Sequence, residues 1–500
     1  MTNSVLIDRL GNWNPQLLRE LRGRLKPQTV IAAVSFSVIC QILLLLIISP
    51  NTGSLLESRW LPVWKIITLM LPYVTFTFGS YSIVSDIGHE QKRGTLNFIR
   101  LSPSPAWQIL LGKMLGVPVL LYIALGLVVP LHCFAGLRSG ISPPLIASVY
   151  LMLVPGCAIC YSTVTICALR GETQGLKNQQ MPTALAAFGG AAIAGFYISP
   201  LYTSWNINIT WRPLLASSEI LGHQKPVVLW FFLPINTIGV VSHTFTLAVL
   251  GTTTFVLWRI MLRSFDKPRS SAIGKRQSYA ILACVEVLAL GFLLPPSLAD
   301  ADYAILGAIF LYVLTVILLF LLMLAICPQR QALLDWTRYD SPSWQNLILS
   351  DRSPMLLAVV IHLIIANVVL VPWLFWIGIG TQKLVETALL ILCTTNTILI
   401  YATLVQQVGA TKIRNPMACA HCRLSLWSIL APLMLIVLEL MPDRIPASAA
   451  LWTLFGYGFW QFDQPTAIPF VGLGILAQWL FLAFLLWRFQ KTMGKLKAGT

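Results

Sequence analysis

Apolar runs of about twenty residues follow one another along the whole chain, parted by short polar stretches in which Lys and Arg gather. A hydrocarbon core roughly 30 Å thick is crossed by about 20 helical residues, and lipid offers no partner to a free backbone N–H or C=O, so these runs are predicted to be helices. Twelve read as spans: Gln28–Ile48, Pro62–Ser85, Ile109–Leu131, Leu145–Leu169, Pro182–Ser199, Val227–Trp258, Tyr279–Leu298, Ala301–Cys327, Met355–Gly380, Leu384–Val405, Leu426–Leu440 and Ala467–Trp487. Val227–Trp258 is too long for one upright helix, and Pro234 is placed between a short outer piece and the span proper. Ala447–Trp460 is too short and too rich in glycine and aromatic side chains to span, and is assigned to the outer interface.

Composition agrees with this pattern. Apolar residues make up 57% of the 500 and charged residues 10%, with a mean hydropathy of +0.77; soluble domains carry about a quarter charged residues. The fold class is therefore all-α, a polytopic integral membrane protein with about twelve transmembrane helices. Lys and Arg collect on the cytosolic side of a membrane. With both termini inside, only Arg59, Lys65, Arg138, Arg212, Lys225, Lys383 and Arg444 of the 34 basic residues fall at the outer side, the arrangement of a multi-pass plasma (inner) membrane protein. The net charge of +16 is thus topological, spread over many cytosolic segments, which excludes a nucleic-acid partner and leaves membrane lipid as the anionic neighbour. The 10 cysteines show no secreted-type spacing and read as free thiols.

Ahead of the first span, Asn14-Pro15 opens a helix by capping it and placing proline in its first turn. Leu17, Leu18, Leu21 and Leu25 share one face, while Arg19, Glu20, Arg22, Arg24 and Lys26 mostly cover the other, as in a helix lying flat on the inner leaflet. An ordinary basic flank to the first span carries the same charges and stays open as the alternative. Shifting the chain against itself by 237 positions lays Arg93, Leu96, Ser104, Pro105, Trp107, Gln108 and Leu110 on Arg330, Leu333, Ser341, Pro342, Trp344, Gln345 and Leu347 without a gap. The two segments follow the second and eighth spans, as a tandem 6+6 duplication requires. A first six-span half then covers 1–265 with a loop at 86–113, and a second, degenerate half covers 266–500 with the equivalent loop at 328–353. The bland alternative is that Ser-Pro starts a helix and Trp sits at an interface in both places by coincidence.

The loop after the second span carries the functional signal. A helix from about Glu90 to Leu101 projects Leu96, Ile99 and Phe98 as an apolar stripe, with Lys92, Arg93 and Arg100 set for polar pairing. Ser102-Pro103 ends it, and Ser104-Pro105 starts the helix that runs into the third span. Composition alone also fits a helix resting on lipid. The joined spacing Glu90-x-x-x-Gly94-Thr95-Leu96-x-x-Ile99-x-x-Ser102-Pro103, followed by Ile109-Leu110-x-Gly112-Lys113, resembles the loop between spans two and three of type 2 ABC transporter permeases. The resemblance covers the first six spans, with a longer outer loop at Pro200–Pro226, and reaches the second half only through the repeat.

That resemblance implies a separate ABC ATPase subunit, carrying ATP and Mg, that couples to this loop through Glu90, Gly94, Thr95, Leu96, Ile99, Ser102, Pro103 and Lys113. It also implies that six-span halves work as a pair, here as a pseudo-dimer within one chain or as a homodimer. A second coupling loop is expected at Arg330, Leu333, Ser341, Pro342, Trp344 and Gln345, weakened because Gln331 and Ala332 replace Gly94 and Thr95 and Cys327 stands where Glu90 would. The chain holds no Gly-x-x-x-x-Gly-Lys-Ser/Thr phosphate loop, so it is read as a transporter subunit, not an enzyme, with no cofactor of its own.

Glu286 lies inside the seventh span and is a candidate intramembrane polar site, with a carboxyl bonded to a neighbouring helix as the alternative. Cys419-Ala420-His421-Cys422 offers three zinc ligands without a fourth nearby, and no metal is assigned to it. The expected function is the membrane permease of an ATP-driven exporter of unknown substrate. A twelve-span ion-coupled secondary transporter shares the gross architecture. A membrane-embedded enzyme acting on lipid-linked substrates would need more convergent polar groups than Glu286 supplies.

Overall fold

The computed structural model describes residues 9–48, 60–173, 229–235, 239–268, 270–293, 301–339, 343–376, 384–411, 430–457, 466 and 468–498. The expected span Pro182–Ser199, the outer loop Pro200–Pro226, Ser341 and Pro342, the Cys419–Cys422 group and the start of Leu426–Leu440 lie outside them. The chain divides into two compact units, one of residues 1–228 and 233–268 and the other of residues 229–232 and 269–500. Among the described residues, regular structure is helical apart from two strands of two residues each, Leu229–Trp230 and Leu233–Pro234.

Unit 1 contains α1 (Pro15–Arg24), α2 (Pro27–Ile48), α3 (Trp60–Arg93), α4 (Thr95–Arg100), α5 (Ala106–Gly116), α6 (Val119–Gly126), α7 (Val129–Arg138), α8 (Pro143–Thr173) and α9 (Gly239–Asp266). Unit 2 contains α10 (Lys275–Leu293), α11 (Ala301–Ile326), α12 (Arg330–Tyr339), α13 (Trp344–Leu349), α14 (Leu356–Trp376), α15 (Leu384–Gly409), α16 (Ala431–Val437), α17 (Ala449–Leu454) and α18 (Ile468–Ala498). Among the described residues, 9 helices are long and apolar enough to cross a membrane, and a tenth span appears if Phe310–Ile326 and Arg330–Tyr339, bent by 67°, count as one. The protein is thus a helical, multi-pass membrane protein.

One predicted run is divided differently. Ile109–Leu131 was expected to cross as a unit, but α5 ends at Gly116 and the apolar crossing runs from Val119 to Arg138. Pro118 supplies no N–H to the helix preceding it, and Lys113 carries a charge that α5 keeps out of lipid.

Within unit 1, α3 and α8 approach closely because each offers a glycine to an aromatic ring of the other. Tyr161 of α8 lies against Gly79 of α3, where a Cβ would collide with its ring, and its hydroxyl donates to the Thr75 carbonyl at 3.0 Å. Phe76 of α3 reciprocates against Gly156 of α8, 2.6 Å from where a Cβ would stand. Small residues that admit a neighbour's bulk are the usual means of tight helix contact where lipid removes the hydrophobic drive. In unit 2, the buried Lys275 ammonium at the start of α10 donates to the Leu347 carbonyl at 2.9 Å, the Ser353 hydroxyl at 2.6 Å and the Pro354 carbonyl at 2.9 Å, tying α10 to the turn between α13 and α14.

Gly79→Val is expected to destabilise the purified protein by about 1–3 kcal/mol through overpacking against Tyr161. Gly251→Ala in α9, where an added Cβ meets nothing within 4 Å, should leave the thermal midpoint unchanged or raise it slightly. Thermal denaturation of both variants in one detergent checks the contrast, and equal midpoints would remove the packing assignment.

Candidate functional site

The predicted coupling loop is an elbow made of the end of α3, the six-residue α4 and the start of α5. Helix α3 stops because Gly94 adopts φ +70°, the left-handed conformation that closes a helix and that a side chain would strain. The Gly94 N–H donates to the Gln91 carbonyl at 3.1 Å and the Thr95 hydroxyl to the Glu90 carbonyl at 3.3 Å, so the Gly-Thr pair satisfies carbonyls that the helix end leaves open. Helix α4 then closes on itself: the Leu101 N–H bonds to Asn97 and the Ser102 N–H to Ile99, both at 3.2 Å. Pro103 is exposed in the turn that follows, and Pro105 stands before the first residue of α5.

The apolar stripe expected on α4 divides between two faces. Leu96 and Ile99 turn inward and join a core with Ile83, Ile87, Leu110 and Phe265. Phe98 and Leu101 face out, 81% and 84% exposed, beside exposed Lys92, Arg93 and Asn97. Leu96 and Ile99 therefore fasten the elbow, while Phe98 and Leu101 are its available apolar surface.

Glu90 and Lys113 also point inward, and they meet. The Lys113 ammonium lies 2.7 Å from Asp86 Oδ2, 2.8 Å from Glu90 Oε2 and 3.7 Å from Glu20 Oε1. Around this centre Arg24 reaches Asp86 at 2.6 Å and Glu20 at 3.4 Å, and Arg19 reaches Glu90 at 2.7 Å. The three carboxylates fall within 4.8 Å of one another, a spacing that a metal ion can bridge, but the Lys113 ammonium already occupies their midst. Three acids face three bases, and Lys113, only 3% exposed, would have no compensation without them.

This cluster docks α1 on α5. A Cβ at Gly112 would lie 2.8 Å from both Asn14 Oδ1 and the Leu17 N, and one at Gly116 would lie 2.5 Å from Glu20 Cβ. Glycines four apart on α5 thus let α1 settle directly on its backbone. Asn14 caps α1 by accepting from the Leu17 N–H at 2.8 Å, and its amide donates across to the Gln108 carbonyl at 2.8 Å. The Gly112-Lys113 pair in the motif therefore has a definite physical content: space for a helix, then a charge to hold it. The face of α1 so buried is Gln16, Leu17 and Glu20; Leu25, expected on the apolar side, is 39% exposed.

The sequence reading put Arg19, Glu20 and Arg24 on the polar face of a surface helix and did not join them, or Asp86, to Glu90 and Lys113. The available signal was spacing: Asp86 and Glu90 lie four apart on one helix, as do Glu20 and Arg24 on another.

In unit 2, Leu333 of α12 is fully buried against Ala410, Leu334 and Met493, as Leu96 is in its own core. Trp344 and Tyr339 are 74% and 76% exposed, Gln345 is exposed and Arg330 half-buried. The 237-residue offset puts Met323, Cys327 and Ser350 at the positions of Asp86, Glu90 and Lys113, and Leu349 and Ser353 at those of Gly112 and Gly116. Asp335 and Arg338 stand where Phe98 and Leu101 would. At these aligned positions the second elbow carries neither the charged residues of the cluster nor the apolar pair. Elsewhere in unit 2, Glu286 is buried on α10 and faces Thr315 of α11.

Lys113→Met should cost unit 1 about 3–5 kcal/mol, because it leaves three carboxylates against two arginines in a water-poor setting. Adding Asp86→Asn should recover part of that loss, while Phe98→Ser, at an exposed position, should stay within about 0.5 kcal/mol of the parent. Thermal or denaturant unfolding of the three variants decides, and a harmless Lys113→Met would show the cluster to be inessential.

No protein-family model, no curated protein and no solved structure matches this chain.

Proposed function

We propose that the chain is the membrane permease of an ATP-binding cassette exporter, two fused six-span halves in the plasma membrane, driven by a separate ATPase that docks on the cytosolic elbow of the first half. The observation that carries this reading is the elbow: a left-handed Gly94 between two helices, an inward anchor of Leu96 and Ile99, and an outward pair, Phe98 and Leu101, ringed by Lys92 and Arg93. An apolar knob of two adjacent side chains with a basic rim fits a groove that is apolar at its floor and acidic at its edge. The charge cluster behind it ties α1, α3 and α5 together, and Leu96 and Ile99 fasten α4 to the core beside it, as a lever requires. Nucleotide-driven closure of the partner would bias the helices between inward-open and outward-open states. The second elbow, with Asp335 and Arg338 in place of the knob, couples weakly on this reading.

A second reading, an ion-coupled secondary transporter, draws on the buried carboxyl of Glu286 in α10. Transport that survives removal of every ATPase and is lost in Glu286→Gln would favour it.

Purification from native membranes in mild detergent should bring down a soluble protein with a phosphate loop. The double variant Phe98→Asp, Leu101→Asp should reduce that recovery at least about tenfold, as loss of a buried apolar anchor does at other interfaces, while Trp344→Asp should spare most of it. Recovery unchanged by the double variant, or no ATPase at all with the native chain, would overturn the proposal.

A further inference from the structure

The segment Ala447–Trp460 is assigned to the outer interface from its length and composition, but the contacts of its described residues, 447–457, lead into the helix bundle of unit 2. Helix α17 follows a 3-10 turn at Pro446–Ser448, and its first residue, Ala449, packs against Val471 and Ile475 of α18 and Leu389 of α15. One turn later Thr453 meets Gly474, where an added Cβ would stand 2.5 Å from Thr453 Cβ. The Thr453 carbonyl accepts from the Gln478 amide at 2.7 Å. The chain then turns at Gly456, φ +94°, against Thr397, whose methyl lies 2.8 Å from where a Cβ would be. As this segment proceeds from 449 to 456, its partners advance from Leu389 to Thr397 along α15 and from Val471 to Gln478 along α18.

Gln478 lies about 15 Å and Thr397 about 20 Å from the starts of their helices at 1.5 Å per residue, which is half or more of a 30 Å hydrocarbon core. After the tip the chain has still to begin α18 at Ile468, level with the start of the approach. A segment that enters and leaves on one side is re-entrant, and non-helical backbone at such depth is tolerated only where protein buries it or water reaches it.

The side chains at the tip are polar but uncharged. The sequence carries no Asp, Glu, Lys or Arg across 387–411, 445–462 or 464–487. Gln478 is fully buried, and its amide nitrogen reaches the Thr453 carbonyl, Thr397 Oγ1 at 3.1 Å and Cys393 Sγ at 3.9 Å. Its carbonyl oxygen, equally buried, has no donor among the described residues. A buried amide oxygen of this kind calls for a hydrogen-bond donor. The neighbouring acceptors are already engaged: the Thr453 carbonyl also takes the Gly456 N–H at 2.9 Å, and Thr397 donates to the Cys393 carbonyl at 2.8 Å. A desolvated cation needs several free oxygens at once, whereas one O–H needs a single acceptor.

We propose that the tip at 453–457, with Gln478, Thr397 and Cys393, is a binding site for an uncharged hydroxyl group. The site belongs to this chain whether or not an ATPase drives it. Its natural reporter is Cys393, which is buried in the structure and touches both the Thr453 carbonyl and the Gln478 amide.

The test uses full-length protein in liposomes with Cys393 as its only cysteine, treated with the uncharged 2-hydroxyethyl methanethiosulfonate and read by intact mass. Cys393 should be modified, and Gln478→Leu or Thr397→Val, each still eluting as a single species, should slow modification about fivefold or more, the scale of one lost hydrogen bond. Slowing of the parent reaction by added glycerol or glucose would identify an organic hydroxyl as the occupant, and no slowing would identify water. An unreactive Cys393 alongside a reactive control cysteine at exposed Ala447, or reactivity indifferent to both variants, would overturn the proposal.

Discussion

Lys113 sets the terms for everything around it in unit 1. An ammonium held 97% out of solvent loses most of its hydration, and only close, multiple carboxylates can offset that loss. The three that do so come from two helices, Glu20 from α1 and Asp86 and Glu90 from α3, and Arg19 and Arg24 restore neutrality. Because no one of these helices can bring the set together alone, the cluster specifies a three-helix arrangement and penalises any partial version of it. It also explains why α5 stops short of the membrane crossing: the helix that carries Lys113 is held beside α1, and the apolar run resumes only after Pro118.

The elbow inherits its stiffness from this constraint. Helix α4 is only six residues long, too short to persist by its own hydrogen bonds. It is ordered because Gly94 and Thr95 close the helix before it, Leu96 and Ile99 enter the core, and the Arg100 guanidinium lies 5.6 Å from the Phe265 ring centroid. What is left over, Phe98 and Leu101, has no role in that packing. Exposed apolar side chains on a segment so thoroughly fastened cannot relieve their exposure by local rearrangement, which is the condition under which a contact made there moves the whole body and not the loop alone.

The existence of the helices, their apolar character and the position of the elbow were legible in the sequence because each depends on local pattern: run length, the Gly-Thr break, the Pro-x-Trp restart. The inward turn of Leu96 and Ile99 was not, since an apolar stripe on a short helix does not say whether it faces a partner or its own core. Lys113 was legible as part of a motif but its function was not, because the acids that neutralise it lie 23 to 93 positions away. The packing of the segment that begins at Ala447 was not legible for a similar reason. Its sequence is apolar and short, which describes an interfacial helix and a half-inserted one equally, and its partners Gln478 and Thr397 stand on separate helices.

The two units place charged residues differently around their elbows. Unit 1 gathers formal charge at its elbow, where Lys113 and its partners sit at helix ends. At the corresponding places unit 2 has Met323, Cys327 and Ser350, groups that need no counter-charge and impose no fixed geometry on their neighbours. Beside its elbow the buried Lys275 is held by the Leu347 and Pro354 carbonyls and the Ser353 hydroxyl, and within its spans lie uncharged pairs such as Trp479 with Asn396 at 3.1 Å and Gln478 with Thr397, and the buried Glu286. Charge clusters resist rearrangement because every partial state leaves an ion bare, whereas amide and hydroxyl pairs exchange partners at a cost of roughly 1 kcal/mol each. The charge-locked elbow of unit 1 therefore resists rearrangement more strongly than the neutral contacts within the spans.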